Sequence, residues 1–366
     1  MSKDYSSGME NPLGLRLREL PGPLLLTGHT GFKGIWMTFL LEHLNVPVVG
    51  YSLPAEKDSL YDRAERTGAI PEVFADIRDY EALESFIDLN KPSTIIHMAA
   101  QPLVLKSYES PRETFDVNVM GTVNILDIAF KKDFVKAIIV VTTDKVYRNN
   151  NSGRAFVESD PLEGKDPYSA SKVGVEAVVA AWQQMAKASG GPRIVSVRAG
   201  NVIGGGDFAE NRIIPDLIRG VMAANPVKVR NPNSTRPWQH VLDPLVGYLV
   251  CLESIIDARK PNNFNFGPIE LSIRVQDLVT QGEKLYGDRL KINYENLSKP
   301  PVFESQALNL DSTLATRYLD WTPVWSQSTA IEKTFLWWKN LIDGKESPAK
   351  LCNSDIELFL MSRIIS

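Results

Sequence analysis

A run of apolar, mostly β-branched residues at 138–141 leads directly into Thr-Thr-Asp-Lys at 142–145, and Tyr168 and Lys172 follow after a polar loop. Such a run predicts a buried strand. Because Tyr168 and Lys172 are four residues apart, they share one face of a helix. An ammonium beside a phenol favours the phenolate and lowers the pKa of the phenol. The stretch therefore predicts a proton-transfer site in which Tyr168 acts as a base near neutral pH.

A glycine loop lies between an apolar strand predicted at 23–26 and a helical pattern that includes Trp36. Its glycines have the spacing G-x-x-G-x-x-G, and a strand, glycine loop and helix in succession direct backbone N–H groups at a pyrophosphate. That context favours a dinucleotide site over a structural turn. The cofactor contacts that we predict in this loop are Gly28, Thr30, Gly31, Phe32, Lys33 and Gly34.

The second predicted strand, at residues 46–51, runs into Ser52 without the acid that often binds the ribose hydroxyls of a dinucleotide. No arginine stands directly at the strand end to bind a 2′-phosphate, so these residues leave NAD and NADP open. Asp76, followed by Ile77, comes after a short strand-like stretch. Two interpretations fit Asp76 equally: contact with an adenine amino group, or a solvated helix N-cap.

Small side chains close the strand predicted at residues 94–101, which lets a cofactor approach closely. We interpret His97 as a packed core histidine rather than a catalyst. Asn118 is unfavourable in the interior of its predicted helix. We therefore expect its amide to bond the backbone of a neighbouring strand and to support the site. The further cofactor contacts that we predict are Ile77, Met98, Ala99, Ala100, Gln101, Asn118, Thr142, Tyr168 and Lys172.

Strands and helices alternate through the first half of the chain, which predicts an α/β fold: a Rossmann-type doubly wound parallel sheet. A smaller mixed α/β C-terminal lobe would bind the substrate. The predicted division is a flexible N-terminal arm at 1–20, the dinucleotide-binding domain at 21–200, the substrate lobe at 201–345 and a C-terminal tail at 346–366. The chain is expected to cross back to the first domain around 235–265.

Three adjacent glycines at 204–206 predict a loop that lies close to a ligand, and arginines and amides surround them. Such groups suit a diphosphate and a sugar. For any single arginine a plain surface charge is the favoured interpretation, but the cluster after the glycine run makes ligand binding equally open. The aromatic-rich helix expected within 321–338 is interpreted as core or subunit interface. The substrate contacts that we predict are Asn201, Arg212, Arg236 and His240.

The composition of the chain excludes several other classes of protein. Hydrophobic residues make up 43% and charged residues 23% of the 366-residue chain, and a net charge of −4 gives no electrostatic basis for binding nucleic acid or an anionic membrane. Cys251 and Cys352 have no Cys or His at metal-ligand spacing, so we expect no metal site and a reducing, cytoplasmic environment. Residues 1–12 lack the apolar core of a signal peptide, and charges interrupt residues 241–256, so we expect no membrane span.

Together these motifs resemble the extended short-chain dehydrogenase/reductase family, and within it the branch of nucleotide-sugar 4,6-dehydratases that acts on CDP-glucose. The resemblance covers residues 20–345 and is carried by five runs, at 27–34, 99–104, 142–145, 198–207 and 236–241. It implies NAD as cofactor and CDP-glucose as substrate. It also implies a homodimer or tetramer that associates through helices around 110–130 and 168–188, and a role in deoxysugar synthesis for surface polysaccharide such as lipopolysaccharide O-antigen.

The implied reaction oxidises C4 of the sugar, removes water across C5 and C6, and returns the hydride to C6. Tyr168 would take the proton of the C4 hydroxyl, Lys172 would stabilise the phenolate, and Thr143 would bind the C4 oxygen. Asp144 would protonate the departing C6 hydroxyl. Dehydratases of dTDP sugars have Glu where this chain has Lys145. We interpret Lys145 as the C5 base, kept neutral by burial, or, if charged, as a stabiliser of the C4 enolate.

Two other functions fit part of the pattern. A nucleotide-sugar 4-epimerase or 4-reductase needs Tyr168 and Lys172 but no acid at Asp144. A non-catalytic subunit that binds NAD or a nucleotide sugar would have no use for these catalytic side chains.

Overall fold

A computed structural model describes residues 13–150, 152–257, 260–294 and 308–365. The strands, in chain order, are β1 Leu24–Thr27, β2 Val48–Ser52, β3 Glu72–Phe74, β4 Thr94–His97, β5 Ala137–Val141, β6 Arg193–Ala199, β7 Val202–Ile203, β8 Val227–Val229, β9 Thr235–Arg236, β10 Gln239–His240, β11 Asn263–Phe266, β12 Ile273–Arg274 and β13 Ile292–Tyr294.

The helices, in chain order, are α1 Leu15–Arg18, α2 Phe32–His43, α3 Leu60–Arg63, α4 Tyr80–Asn90, α5 Val104–Glu109, α6 Pro111–Phe115, α7 Gly121–Phe130, α8 Pro167–Ser189, α9 Ile213–Ala223, α10 Leu242–Asp257, α11 Val275–Tyr286, α12 Thr313–Leu319, α13 Gln327–Ile342 and α14 Pro348–Ile365. A π-helical turn, Asp116–Met120, precedes α7, and short 3₁₀ helices occupy Asp144–Val146 and Gly287–Arg289.

Seven parallel strands form the central sheet in the order β11-β6-β5-β4-β1-β2-β3. The side chains of β5 alternate between its two faces. Ile138 and Val140 lie in a hydrophobic cluster that includes side chains of α4, α7 and α8, whereas Ile139 and Val141 lie in a second cluster that includes side chains of α2 and α10. Burial on both faces explains the unbroken apolar sequence of β5 and confirms the predicted doubly wound sheet.

Helix α8 presents Tyr168 and Lys172, and its sequence fixes where it begins. Pro167 occupies the first turn, where its missing N–H costs nothing. The side chain of Asp166 accepts a hydrogen bond from the backbone N–H of Ser169 at 2.9 Å, and the Ser169 hydroxyl closes the capping box. The helix ends at Gly190, whose φ of 79° is left-handed.

The second half of the chain adds three small sheets, β7 with β10, β8 with β13 and β9 with β12. Between these additions the chain returns to the central sheet, where β11 pairs in parallel with β6. The aromatic-rich helix α13 contributes Phe335, Trp337 and Trp338 to the core, which confirms the core interpretation of this segment.

Two of the expected segment boundaries change. Leu13 and Leu17 are buried in the core, and the backbone N–H of Arg16 donates to Glu253 at 3.1 Å, so the expectation of a loose arm is wrong for residues 13–20. Residues 1–12 of that predicted arm lie outside the described residues. The expected tail forms α14, whose side chains Ile356 and Phe359 are fully buried, because an apolar stripe of this helix packs against the core.

Within the described ranges, no helix is both long enough and apolar enough to cross a membrane.

Candidate active site

The glycine loop between β1 and α2 has the geometry that a pyrophosphate requires. Gly28 has a φ of 75°, and an added Cβ would lie 2.8 Å from the backbone nitrogen of Ala99. A Cβ at Gly34 would lie 2.1 Å from the carbonyl oxygen of Gly28. Helix α2 begins after Gly31, which is exposed and offers no side-chain cap, so the first N–H groups of the helix are open to an anion. These residues fit a dinucleotide cofactor.

The carboxyl end of β2 carries hydroxyl groups instead of an acid. Thr30 Oγ1 hydrogen-bonds Ser52 Oγ at 2.8 Å and donates to the carbonyl oxygen of Leu53 at 3.0 Å. His29 is buried between this strand and β3, where its Nε2 lies 2.7 Å from Glu72. A Cβ at Gly50 would lie 2.6 Å from His29 Nδ1, so the histidine ring explains the glycine in β2.

Asp76 pairs with Arg78 at the end of β3, where Asp76 Oδ2 accepts from Arg78 Nη2 at 2.6 Å. This hydrogen bond lowers the pKa of Asp76, although partial burial opposes the shift. The N-cap of α4 is Asp79, whose Oδ1 accepts from the backbone of Ala82 at 3.0 Å. The N-cap interpretation of Asp76 is therefore wrong, and adenine contact by Asp76 and its buried neighbour Ile77 stays a prediction.

Residues 98–101 continue β4 beside the glycine loop. The backbone N–H groups of Met98 and Ala99 donate to Thr27 Oγ1 at 3.1 and 3.2 Å. His97 hydrogen-bonds Thr27 through Nδ1 at 2.7 Å and is buried, which confirms it as a core histidine. The Gln101 side chain turns inward to Thr114 Oγ1 at 2.9 Å, so its amide supports the loop.

Asn118 connects this loop to α8. Its Oδ1 accepts from the backbone N–H of Gln101 at 2.8 Å, and its Nδ2 donates to the Gln101 carbonyl at 3.2 Å and to Ser171 Oγ at 2.8 Å. The π-helical turn around Asn118 directs this buried amide toward the end of β4. The predicted supporting role of Asn118 is confirmed.

The carboxyl end of β5 brings two of the predicted catalytic groups together. Thr143 Oγ1 donates to Asp144 Oδ1 at 3.0 Å, and both residues are buried. Asn201, held at a φ of 49°, has its Nδ2 3.5 Å from Asp144 Oδ2. Gly200 leaves room for this carboxylate, because a Cβ there would lie 1.8 Å from Asp144 Oδ2. Asp144 is thus enclosed at the strand end.

Tyr168 and Lys172 are buried on one face of α8. Burial raises the pKa of Tyr168 to about 12, although a hydrogen bond with Thr143 acts in the opposite direction. The Lys172 ammonium donates to the Val141 carbonyl at 3.2 Å, and burial lowers its pKa to about 8. The prediction that Lys172 brings the pKa of Tyr168 down toward neutrality is therefore wrong for the protein groups alone. Burial and the charge of Asp144 both favour the neutral phenol, and together they outweigh the hydrogen bond with Thr143 and the charge of Arg212.

The two lysines next to Asp144 differ in burial. Lys145 is exposed, so the expectation that burial keeps it neutral is wrong. Lys33 instead points inward, where its Nζ donates to the Tyr248 hydroxyl at 3.1 Å. Burial lowers the pKa of Lys33 to about 7; the Asp144 carboxylate opposes this shift, and other cations of the site add to it.

The predicted substrate contacts separate into site and core residues. Arg212 pairs with Asp207 at 2.9 Å, and its charge acts on Tyr168, so it faces the site. Arg236 is half-buried, and its Nη1 donates to the carbonyl oxygen of Thr235 at 2.8 Å. His240 is fully buried between Trp36 and Trp325, with ring centroids 5.6 and 4.7 Å away. The substrate-contact prediction for His240 is wrong, because an apolar core encloses it.

Thr142 also differs from its prediction, since its hydroxyl donates to Glu176 Oε1 at 2.6 Å instead of pointing at a cofactor. Glu176, with its partner Arg198, and Tyr248 were missed by sequence reasoning. The spacing of Glu176, four residues beyond Lys172 on the same helix, was the available signal.

Within the described part of the chain, no group of His, Cys, Asp or Glu side chains is arranged to hold a metal.

Residues 24–267 match the model of the NAD dependent epimerase/dehydratase family, and the chain belongs to this family. NAD is therefore its cofactor. Among individual relatives, the chain is similar to CDP-glucose 4,6-dehydratase of Salmonella typhimurium strain LT2. The two are 38% identical over 332 residues, which cover 88% of this chain and 92% of the relative.

Solved structures show the same fold at lower identity. The dTDP-glucose 4,6-dehydratase of Bacillus anthracis in complex with NAD aligns with a TM-score of 0.73 and 21% identity, covering 90% of this chain and 99% of that one. The UDP-glucose 4-epimerase of Thermotoga maritima with UDP-glucose aligns with a TM-score of 0.77 and 20% identity, covering 87% and 99%. The Rossmann-type architecture is thus shared by dehydratases and epimerases.

Replacing Gly200 with alanine is expected to displace the Asp144 carboxylate, since the new Cβ would lie 1.8 Å from Oδ2. We expect turnover to fall about 100-fold or more, comparable with the loss of a general acid. Steady-state kinetics and circular dichroism would measure activity and folding. Gly68→Ala is the control for a strained glycine replacement away from the site, because its φ of 77° disfavours alanine although the Cβ would meet no atom within 4 Å. Wild-type turnover by folded Gly200→Ala would contradict the placement of Asp144.

Proposed function

We propose that this chain is a CDP-glucose 4,6-dehydratase, which converts CDP-D-glucose to CDP-4-dehydro-6-deoxy-D-glucose and water without net consumption of NAD. The observation that carries the proposal is the buried Asp144 beside Thr143 at the end of β5, opposite Tyr168 and Lys172 on α8. An acid at this position suits the removal of a hydroxyl group as water. The similarity to the Salmonella typhimurium enzyme supports CDP-glucose as the substrate.

Oxidation at C4 needs a base for the proton of the C4 hydroxyl, and Tyr168 is proposed for it. Thr143, which hydrogen-bonds Tyr168, would also bind the C4 oxygen and so hold the hydroxyl and the phenol together. Lys172 would keep a positive charge one helical turn from the phenol. Bound NAD would supply the reversible hydride acceptor that the reaction needs at C4 and C6, and a positive charge that favours the Tyr168 phenolate.

Elimination of water needs an acid at the C6 oxygen and a proton acceptor at C5. Asp144 is proposed as the acid, because its burial limits competition from solvent water. Lys145, the next residue, is proposed for the C5 position. The protein alone leaves Lys145 exposed, so it would take the C5 proton as an amine enclosed by the bound sugar nucleotide. The ammonium that forms would then stabilise the enolate at C4. Arg212 and Asn201 are proposed to bind the sugar nucleotide, together with Arg236.

Cofactor contacts are proposed for the glycine loop, for residues 98–100, and for Tyr168 and Lys172. A 4-epimerase or 4-reductase would use the same Tyr168 and Lys172, but the enclosed Asp144 would then have no role. A non-catalytic binding subunit would need neither group. These alternatives are distinguished by the products that the purified protein forms.

We also propose that the chain works in the cytoplasm as a homodimer or tetramer, where its 6-deoxy product would feed deoxysugar synthesis, such as that for the O-antigen of lipopolysaccharide. Apolar side chains are exposed on α6, the π-helical turn and α8, namely Phe115, Met120 and Met185. Association with a second copy through these helices would remove such side chains from water. Light scattering coupled to size-exclusion chromatography is expected to give twice or four times the chain mass; a monomer at all concentrations would exclude self-association.

The function is tested by incubating the purified protein with CDP-glucose, dTDP-glucose or GDP-mannose, with and without added NAD. Mass spectrometry is expected to show loss of one water from CDP-glucose, without accumulation of NADH. Conversion without a change of mass, detected by chromatography of the sugar, would identify an epimerase. Tight binding of NAD without turnover of any sugar nucleotide would identify a binding subunit.

Asp144→Asn is expected to retain C4 oxidation but to slow water loss about 100-fold, because the amide has no proton to give to the C6 oxygen. Rapid-quench mass spectrometry with stopped-flow absorbance of the reduced nicotinamide would separate the two steps. Lys145→Met is expected instead to abolish exchange of the C5 hydrogen with deuterated solvent.

Asp243→Asn is the matched control for Asp144→Asn, since Asp243 is equally buried but its Oδ1 accepts from the backbone of Val324 at 2.6 Å, inside the core. We expect it to retain turnover within about threefold. Water loss at the wild-type rate in Asp144→Asn would rule out the proposed acid.

A further inference from the structure

Glu176 lies on the same face of α8 as Tyr168 and Lys172, one turn beyond the lysine, and all three side chains are buried. We propose that Glu176 is a positioning residue, whose carboxylate holds the carboxyl end of β5 in register with α8 and keeps Lys172 protonated beside Tyr168. The catalytic purpose of this arrangement rests on the proposed function, whereas the contacts of Glu176 are observed in the structure.

Helix α8 is hydrogen-bonded to the last residue of β5 and to the residue that follows it. Lys172 Nζ donates to the Val141 carbonyl at 3.2 Å, and Thr142 Oγ1 donates to Glu176 Oε1 at 2.6 Å. The next residue, Thr143, begins the turn that places Asp144. The Lys172 and Glu176 side chains, four residues apart, therefore fix the strand at the point where the proposed catalytic groups leave it.

The carboxylate of Glu176 is fully hydrogen-bonded. Besides Thr142, Oε1 accepts from Arg198 Nε at 2.8 Å, and Oε2 accepts from Arg198 Nη2 at 2.8 Å and Ser196 Oγ at 2.9 Å. Burial would raise the pKa of Glu176, but the hydrogen bonds and charge of Arg198 outweigh burial and lower it. The residue is thus a fixed negative charge beneath the site.

That charge acts on Lys172. Burial lowers the pKa of Lys172, and the Glu176 carboxylate is the opposing influence. The other titratable groups that face the ammonium are His97 of β4, whose pKa it lowers, Lys33 of α2, whose pKa it also lowers, and Tyr168 on its own helix. The carboxyl of Asp144 acts on Lys33 and Tyr168, whereas the carboxyl that acts on Lys172 among the described residues is that of Glu176. Glu176 is therefore the acid that favours the charged lysine.

The test is the titration of Lys172 in the folded protein, read by NMR from 13C-labelled lysine side chains and assigned with Lys172→Met. In Glu176→Gln we expect the midpoint of Lys172 to fall by about one pH unit or more, since a charge one helical turn away is removed from a buried site. The alkaline limb of kcat/KM for the natural sugar nucleotide should move toward neutral pH by the same amount.

Two variants separate charge from packing. Glu176→Asp keeps the negative charge and should restore the Lys172 midpoint toward the wild-type value. Ser196→Ala removes one hydrogen bond to the same carboxylate, and its Lys172 midpoint should stay within a few tenths of a unit. If Glu176→Gln does not fold, because the Arg198 charge is left unpaired, the double variant Glu176→Gln with Arg198→Met removes both charges together. It should fold and show the lowered midpoint.

A Lys172 midpoint unchanged in folded Glu176→Gln or in the double variant would overturn the proposal and leave Glu176 as an ordinary core residue. The NMR titration needs no substrate. Failure of the proposed function would therefore appear as a wild-type protein that does not dehydrate CDP-glucose, whatever the titration shows.

Discussion

A buried ion pair between Glu176 of α8 and Arg198 of β6 joins the layers of the molecule beneath its candidate active site. The carboxylate accepts hydrogen bonds from Thr142, which follows β5, and from Ser196 of β6. Arg198 Nη1 donates to the Tyr147 hydroxyl at 2.8 Å, and this hydroxyl donates to Asn265 of β11 at 2.7 Å. Removing one partner of such a pair typically costs about 3–5 kcal/mol, because the other charge stays buried. This polar cluster therefore links α8 to β6, to β11 and to the residue that follows β5 by side-chain hydrogen bonds, in addition to the backbone pairing of the strands.

Above this cluster, burial governs the ionisation of the side chains. It raises the pKa of Tyr168 to about 12 and lowers those of Lys172 and Lys33 to about 8 and 7. All three shifts favour neutral groups, as expected where water is excluded. In the proposed mechanism, the cationic ring of NAD and the protonated Lys172 would both oppose this desolvation and favour the phenolate of Tyr168. The same burial would keep solvent away from the proposed sugar intermediate.

Much of this arrangement was predictable from local patterns. The apolar run of β5, the glycine spacing before α2 and the four-residue interval between Tyr168 and Lys172 each depend on backbone periodicity, and the structure forms these elements. Parallel strands end at one edge of a sheet, so the grouping of Thr143 and Asp144 with the glycine loop followed from topology. Asn118 was identifiable because its amide was out of place in a helix interior, and that amide does bond the end of β4.

What the sequence by itself determined was the fold class, the family and the order of chemical groups along β5 and α8, because these follow from hydrophobic periodicity and short-range spacing. Only the tertiary structure decided burial. His240 is buried among tryptophans, whereas Lys145 is exposed. Lys33 donates a hydrogen bond to Tyr248, and the Thr142 hydroxyl donates to Glu176. The physical reason is that solvation and long-range pairing depend on segments distant in the chain, such as β6 against α8, and these set both pKa values and side-chain contacts.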